Sequence, residues 1–124
     1  MDEKQFIDPA SYDGIHVVVL ASGADTRNQY AIVSMTFAPF AQGAPMHSHL
    51  QYSEGCYVVS GTLAIAKASE LLTMSAGAAT LIPAGVSHTC WNPTASPTTV
   101  LVVYKPGLTE EEARSLALGA SGFT

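Results

Sequence analysis

His47-Ser48-His49-Leu50-Gln51-Tyr52-Ser53-Glu54-Gly55-Cys56-Tyr57-Val58-Val59-Ser60-Gly61 is the stretch that decides how this chain folds. It opens on two imidazoles two residues apart, passes a carboxylate, and runs through apolar residues to a glycine. In an extended strand, residues i and i+2 face the same side, about 7 Å apart along the chain. Both imidazoles can therefore reach one point. The Leu50–Ser53 connection lets the chain cross to a next strand, Gly55–Val59, which ends at the Ser60-Gly61 turn.

The same rhythm continues on both sides. Short apolar runs cover His16–Ala21 and Tyr30–Phe37 before this stretch, then Thr62–Ala66, Leu71–Met74, Ala79–Ile82, His88–Trp91 and Thr98–Tyr104 after it. Turn residues separate them: Ser22-Gly23-Ala24-Asp25, the Pro39–Pro45 segment, Ala76-Gly77, Pro83-Ala84-Gly85 and the Pro93–Pro97 segment. About eight strands at roughly ten-residue spacing predict an all-β sandwich or barrel. Val, Ile, Thr and Tyr fill the runs, as a pleated, half-buried surface requires. No helix-period segment lies between them, which argues against a βαβ fold. The whole chain, 1–124, is expected to be one domain with its barrel core over about 15–105.

The two ends differ from this pattern. Asp8-Pro9 predicts one short helical turn. Near the other end, Thr109 and Glu112 form a capping box, and three glutamates occupy the first turn where the helix dipole favours them. Ala113, Leu116 and Ala117 then share one face, and Gly119 stops the helix, so a short helix is expected over about 110–118. It is expected to lie on the outside of the barrel or against a partner chain.

Composition narrows the function. The 124 residues are 48% hydrophobic and 12% charged, apolar enough to fill a core. Five basic residues against ten acidic ones give a net charge of −5, and the pI is near 5.1. Such a chain offers no basic track for nucleic acid or an anionic membrane surface. No apolar run approaches the ~20 residues of a membrane helix, and the Met-Asp-Glu-Lys start lacks a signal-peptide pattern. A cytoplasmic location is expected, with Cys56 and Cys90 as reduced thiols.

Chemistry gathers on four residues. His47, His49 and Glu54 are joined by His88, which arrives from a distant strand behind the Pro83-Ala84-Gly85 turn. Two histidines two apart are commonplace on strands; a carboxylate and a third imidazole in matching contexts make them a ligand set. Three neutral imidazoles and one carboxylate suit one divalent transition metal and leave positions open for a ligand. Such donors suit iron, manganese, nickel, cobalt, copper or zinc and do not choose among them; iron or manganese is the favoured expectation. A structural zinc would more usually be closed by thiolates.

At this point the sequence resembles a known family. The stretch His47-Ser48-His49-x4-Glu54-x6-Gly61 is similar to the first cupin motif, and Gly77-x5-Pro83-x-Gly85-x2-His88-x3-Asn92 is similar to the second. Fifteen residues separate the two, as in small single-domain bacterial cupins. One position departs: where the family usually has Gly six residues before the first His, this chain has Ala41, with Gly43 nearby. The resemblance implies a jelly-roll β-barrel, metal held by His47, His49, Glu54 and His88, and a homodimer. The implied chemistries are oxygenation, isomerisation, lysis or cyclisation, with non-catalytic ligand binding as the alternative.

Period-two alternation extends the site. With Glu54 inward, Cys56 and Val58 also point inward; with His88 inward, so does Cys90, while Tyr57 and Trp91 face away. Both thiols should lie one layer below the metal. Cys90 is a candidate catalytic residue on that floor, and Gln51 and Tyr52 are candidates for substrate contacts at the mouth. No Ser-His-Asp set, phosphate loop or dinucleotide fingerprint is present, so catalysis would run through the metal. The expected function is a dioxygenase-like oxidoreductase acting on a small organic molecule, aromatic or otherwise hydrophobic because the interior is apolar. The Val17–Leu20 and Val100–Val103 runs are the candidate dimer surfaces.

Overall fold

A computed structural model describes residues 5–6 and 14–117, with side chains over 14–114. The elements run β1 Gln5–Phe6, β2 Ile15–Ala21, α1 Gly23–Thr26, β3 Ala31–Phe37, β4 Ser53–Ser60, β5 Thr62–Lys67, β6 Glu70–Ser75, β7 Ala79–Ile82, β8 His88–Trp91, β9 Thr98–Lys105 and α2 Glu110–Ala117. A six-stranded sheet has the order β1-β2-β3-β9-β4-β7, and a three-stranded sheet the order β6-β5-β8. Every named pairing is antiparallel. This is the jelly-roll arrangement of an all-β chain with a short C-terminal helix.

Alternation puts the core between the sheets. Val17 and Val19 of β2, Val33 and Phe37 of β3, and Val100 and Val102 of β9 are buried on the inner face of the large sheet. Leu63 and Ile65 of β5 are buried from the small one. The two apolar runs expected at a dimer surface are therefore divided. Their alternate members fill the core, and only Leu20 and Val103 of those runs are large exposed hydrophobics.

Side-chain hydrogen bonds tie the sheets at the strand ends. Thr98 Oγ1 accepts from Thr62 N at 3.0 Å and donates to Thr62 O at 2.7 Å, joining β9 to β5. Gly61 makes that approach possible. It has φ +84°, and a Cβ there would lie 2.5 Å from both Pro97 O and Thr98 Oγ1. Only glycine meets both demands.

Several local features differ from expectation. The Ser22–Asp25 turn is the start of α1, whose entry is fixed by Ser22 N donating to Asp25 Oδ2 at 2.9 Å. Asp and Ser, read as turn formers, serve here as a cap. At the other end the Thr109–Glu112 box is formed in both directions, each bond 3.0 Å. The α2 helix packs on β2 and β3 with Ala113 fully buried. The side chains of Leu116 and Ala117, and the Asp8-Pro9 and Gly119 positions, lie outside the described residues.

Candidate metal centre

Each ligand comes from a different constraint. Glu54 points inward from β4, between Ile82 of β7 and Tyr104 of β9 as its cross-strand partners. His88 opens β8, opposite Lys67 of β5. His47 and His49 do not lie on a named strand, contrary to the extended-strand reading. Pro45, with no N–H to give, precedes them, and pairing is confined to one bridge between His47 and His88. That bridge has both backbone bonds, His47 N to His88 O at 3.0 Å and His88 N to His47 O at 2.8 Å. Gly85 N then donates to His49 O at 2.8 Å, so the second motif's turn holds the first motif's histidine.

The four side chains meet. Their ligand atoms all lie within 4.8 Å of one another. Ring centroids are 4.4 Å apart for His47 and His88, 4.7 Å for His47 and His49, and 5.5 Å for His49 and His88. His49, Glu54 and His88 are buried, at 3%, 7% and 5% exposure.

The donors fit a cation because their lone pairs are uncommitted. His88 Nδ1 lies 2.9 Å from Val86 O, and His47 Nδ1 lies 2.6 Å from Pro45 O. A carbonyl can only accept, so each Nδ1 carries the proton and donates. In the neutral ring Nε2 is then bare. Glu54 Oε2 nevertheless sits 2.8 Å from His88 Nε2 and 3.3 Å from His49 Nε2, with no properly directed hydrogen bond. Two lone pairs held that close call for a positive charge between them. With ligand bonds near 2.1 Å, the edges of a coordination polyhedron come to about 3.0–3.4 Å, close to these separations. In the absence of metal, a proton on His88 competes for that place as pH falls, because Glu54 favours it. Burial pushes the Glu54 carboxyl up, but contacts with His49 and His88 overcome this and hold it at about 2. Burial likewise lowers His88, and Glu54 outweighs it, leaving His88 above its ordinary 6.5. For His47 burial prevails and the shift is downward.

Beside this cluster is a cavity of about 40 Å³. That is room for about three waters, or a ligand fragment of similar size. His47, Glu54 and His88 face it; His49 sits off its wall. Cys56 and Cys90 form part of the floor, as alternation placed them, among hydrocarbon from Phe37, Ile65, Ile82 and Val102. Burial and the Glu54 charge push the Cys90 thiol up to about 12 and Cys56 well above its usual range. Both remain neutral thiols, which are weak nucleophiles. Gln51 is exposed and Tyr52 packs half-buried against the core; neither lines this cavity.

Two residues carry more than the sequence reading assigned them. Tyr104 lines the cavity, directly across from Glu54. Its position in the alternating run with Val100 and Val102 signalled that it faces inward; which strand lay beside it was not signalled. Asn92, a fixed position of the second motif, is fully buried and holds the chain together. Its Nδ2 donates to Phe37 O, Ala38 O and Ser96 O at 3.3, 3.0 and 2.7 Å. Its Oδ1 accepts from Thr94 N and Oγ1 at 2.9 and 2.8 Å. The Ala41 departure is harmless, because Ala41 O accepts from Asn92 N at 2.9 Å and Gly43 makes the close approach. A Cβ on Gly43 would stand 2.4 Å from Cys90 O.

Known proteins share this framework. The Cupin domain family model matches residues 33–104, more than half of the chain. Mannose-1-phosphate guanylyltransferase of Salmonella muenchen is 39% identical over 70 residues, 56% of this chain but 15% of that enzyme, so the chain spans only a small part of it. A predicted oxalate decarboxylase from Thermotoga maritima superimposes with a TM-score of 0.72 at 18% identity, covering 86% of this chain and 93% of that one. KdgF from Halomonas sp. does so with a TM-score of 0.68 at 23% identity, covering 86% of each chain. At those identities the two structures speak for the fold. With both motifs, the jelly roll and the family match in agreement, the chain belongs to the cupin family.

Proposed function

We propose that this protein is a metal-dependent enzyme acting on a small organic molecule, with dioxygenase-like oxidoreductase chemistry at the His47, His49, Glu54 and His88 centre. The observation that carries the reading is the set of buried, uncommitted lone pairs converging beside a cavity. A bound divalent ion there would supply open coordination positions for dioxygen or a chelating substrate. The protein supplies the rest: the two carbonyl-anchored Nδ1 groups fix ring orientation, and the hydrocarbon wall excludes bulk water.

The makeup of the wall favours redox chemistry over isomerisation or lysis. Moving protons between carbon atoms needs a positioned base or acid that is free to act. Apart from the ligand set, the cavity wall carries hydrocarbon, two thiols and a phenol, all three hydroxyl and thiol groups held neutral by burial and so unable to act as a base; among the described residues it carries no second carboxylate, lysine or arginine. The cavity also sets the size of the substrate. At about 40 Å³ it is far below the ~300 Å³ of ordinary drug-sized pockets, which favours a small reacting part.

Pairing of two chains is part of the same proposal. Exposed Tyr57 and Val59 of β4, Leu81 of β7 and Val103 of β9 lie on the outward side of neighbouring strands, and such faces favour burial against a second copy.

Elemental analysis of the purified protein, followed by oxygen uptake, tests the proposal. Candidate substrates are small diketones, 2-hydroxy acids and catechol, with a flavonol as the oversized control. A redox-active metal and substrate-dependent uptake support it. Zinc, or no uptake with any compound, turns the reading to an isomerase, a lyase or a non-catalytic ligand-binding cupin.

A further inference from the structure

Opposite Glu54 on the neighbouring strand stands a polar group that the metal-centre reading leaves unused. Tyr104 is 1% exposed and is the direct cross-strand partner of Glu54, so the two side chains project to the same side of the sheet. It lines the cavity with Glu54, His47 and His88. Buried tyrosine hydroxyls ordinarily find a partner. Among the described residues none donates to or accepts from this one. Nor is its oxygen among the sealed, partnerless polar atoms, which are His49 Nδ1 and Glu54 Oε2. The hydroxyl therefore keeps some accessible surface, on a residue that lines the cavity.

The rest of the wall explains why this matters. Beyond the ligand set, hydrocarbon and two thiols surround the cavity, and a thiol is a poor hydrogen-bond donor. A small ligand bound beside the four donors would meet one strong neutral donor, the phenol. The site is too small for a ligand to be oriented by shape over many contacts.

We propose that Tyr104 is the specificity-determining donor of this site, its hydroxyl hydrogen-bonding an acceptor atom of a small ligand held beside His47, Glu54 and His88. The proposal rests on the metal-centre reading above. Tyr104 selects ligands of about three or four non-hydrogen atoms that present an oxygen or similar acceptor toward β9. Analogues with hydrocarbon at that position lose the bond and leave the phenol unpartnered.

The test uses the full chain loaded with cobalt(II) and azide as the probe, a three-atom anionic acceptor that fits the cavity. Cobalt affinity is measured by calorimetry and azide affinity by visible absorption, for the natural sequence, Tyr104→Phe and Tyr57→Phe. Tyr104→Phe should weaken azide by about 10-fold or more, as loss of a hydrogen bond to a charged group does, and leave cobalt affinity within about twofold. Tyr57→Phe, on the outward side, should change neither. Unchanged azide affinity in a cobalt-loaded Tyr104→Phe protein would overturn the assignment. Failure of the natural protein to take up cobalt would sink the metal reading itself, and Tyr104 with it, so the two failures are distinct. Should Tyr104→Phe not fold, ¹³Cζ-tyrosine spectra of the zinc form decide. Azide must then shift the resonance of a solvent-protected tyrosine, and no shift refutes the assignment.

Discussion

Two buried polar clusters lie close together in this molecule and are built on opposite principles. Around Asn92, every donor and acceptor of the side chain meets a protein group, through three donated and two accepted bonds. Around Glu54, polar atoms just as buried are pressed to 2.8 and 3.3 Å without directed hydrogen bonds, and His49 Nδ1 has no partner at all. A buried polar group without a partner costs about 1–3 kcal/mol, so a fold keeps such a cluster only if something else compensates. The Asn92 cluster is complete within the chain and is structural. The Glu54 cluster is incomplete within the chain and is able to hold a metal ion.

That contrast is open to direct attack. The largest effect should come from Glu54→Gln, which keeps the shape and removes the charge. Metal affinity should fall by about 1,000-fold or more, since even residues behind the ligands cost 10- to 100-fold. Calorimetry and elemental analysis would show it, and a variant that still holds metal at full strength would erase the distinction between the clusters. Next comes Asn92→Ala, which removes five hydrogen bonds at the β3–β8 junction. A loss of about 3 kcal/mol in denaturant unfolding is expected, with metal still bound stoichiometrically in the cold.

Acidity should sharpen the comparison further. The proton on His88 competes with metal, and because Glu54 raises His88 above 6.5, that competition begins above pH 6.5 and strengthens as pH falls, by about tenfold per pH unit. In the metal-free protein the sign reverses. The raised His88 stabilises the fold fully below 6.5, and the contribution is lost as pH rises through its folded value. Glu54, depressed to about 2 from 4.5, contributes above 4.5 and loses that contribution as pH falls toward 2. The melting-temperature gap between metal-loaded and metal-free protein should therefore narrow steadily from pH 8 to pH 5.5, while Asn92→Ala shifts both forms equally at every pH. A gap independent of pH would mean that no imidazole proton is displaced.

The smallest effects belong to the thiols. Cys56→Ser and Cys90→Ser should each cost about 1–2 kcal/mol, because each buries a hydroxyl where a neutral thiol packs as a small hydrophobe, and leave metal content unchanged. Loss of oxygen uptake in either variant, with metal retained, would give that cysteine a chemical role.

Spacing alone determined much of this protein. Two interlocking motifs and a two-residue rhythm fix which side chains turn inward, because a pleated strand leaves each residue only two directions. Glu54, Cys56, His88 and Cys90 could be placed that way, while His47 and His49 were marked by the motif and not by the strand rhythm. What the rhythm cannot carry is distance between segments remote in the chain. Only the tertiary structure set Tyr104 beside Glu54, moved the two leading histidines from a strand to a single bridge against β8, and made Asn92 the closing knot of three segments. The volume left beside the donors was decided there too, since a void is the remainder after side chains from both sheets have packed, and no local pattern records it.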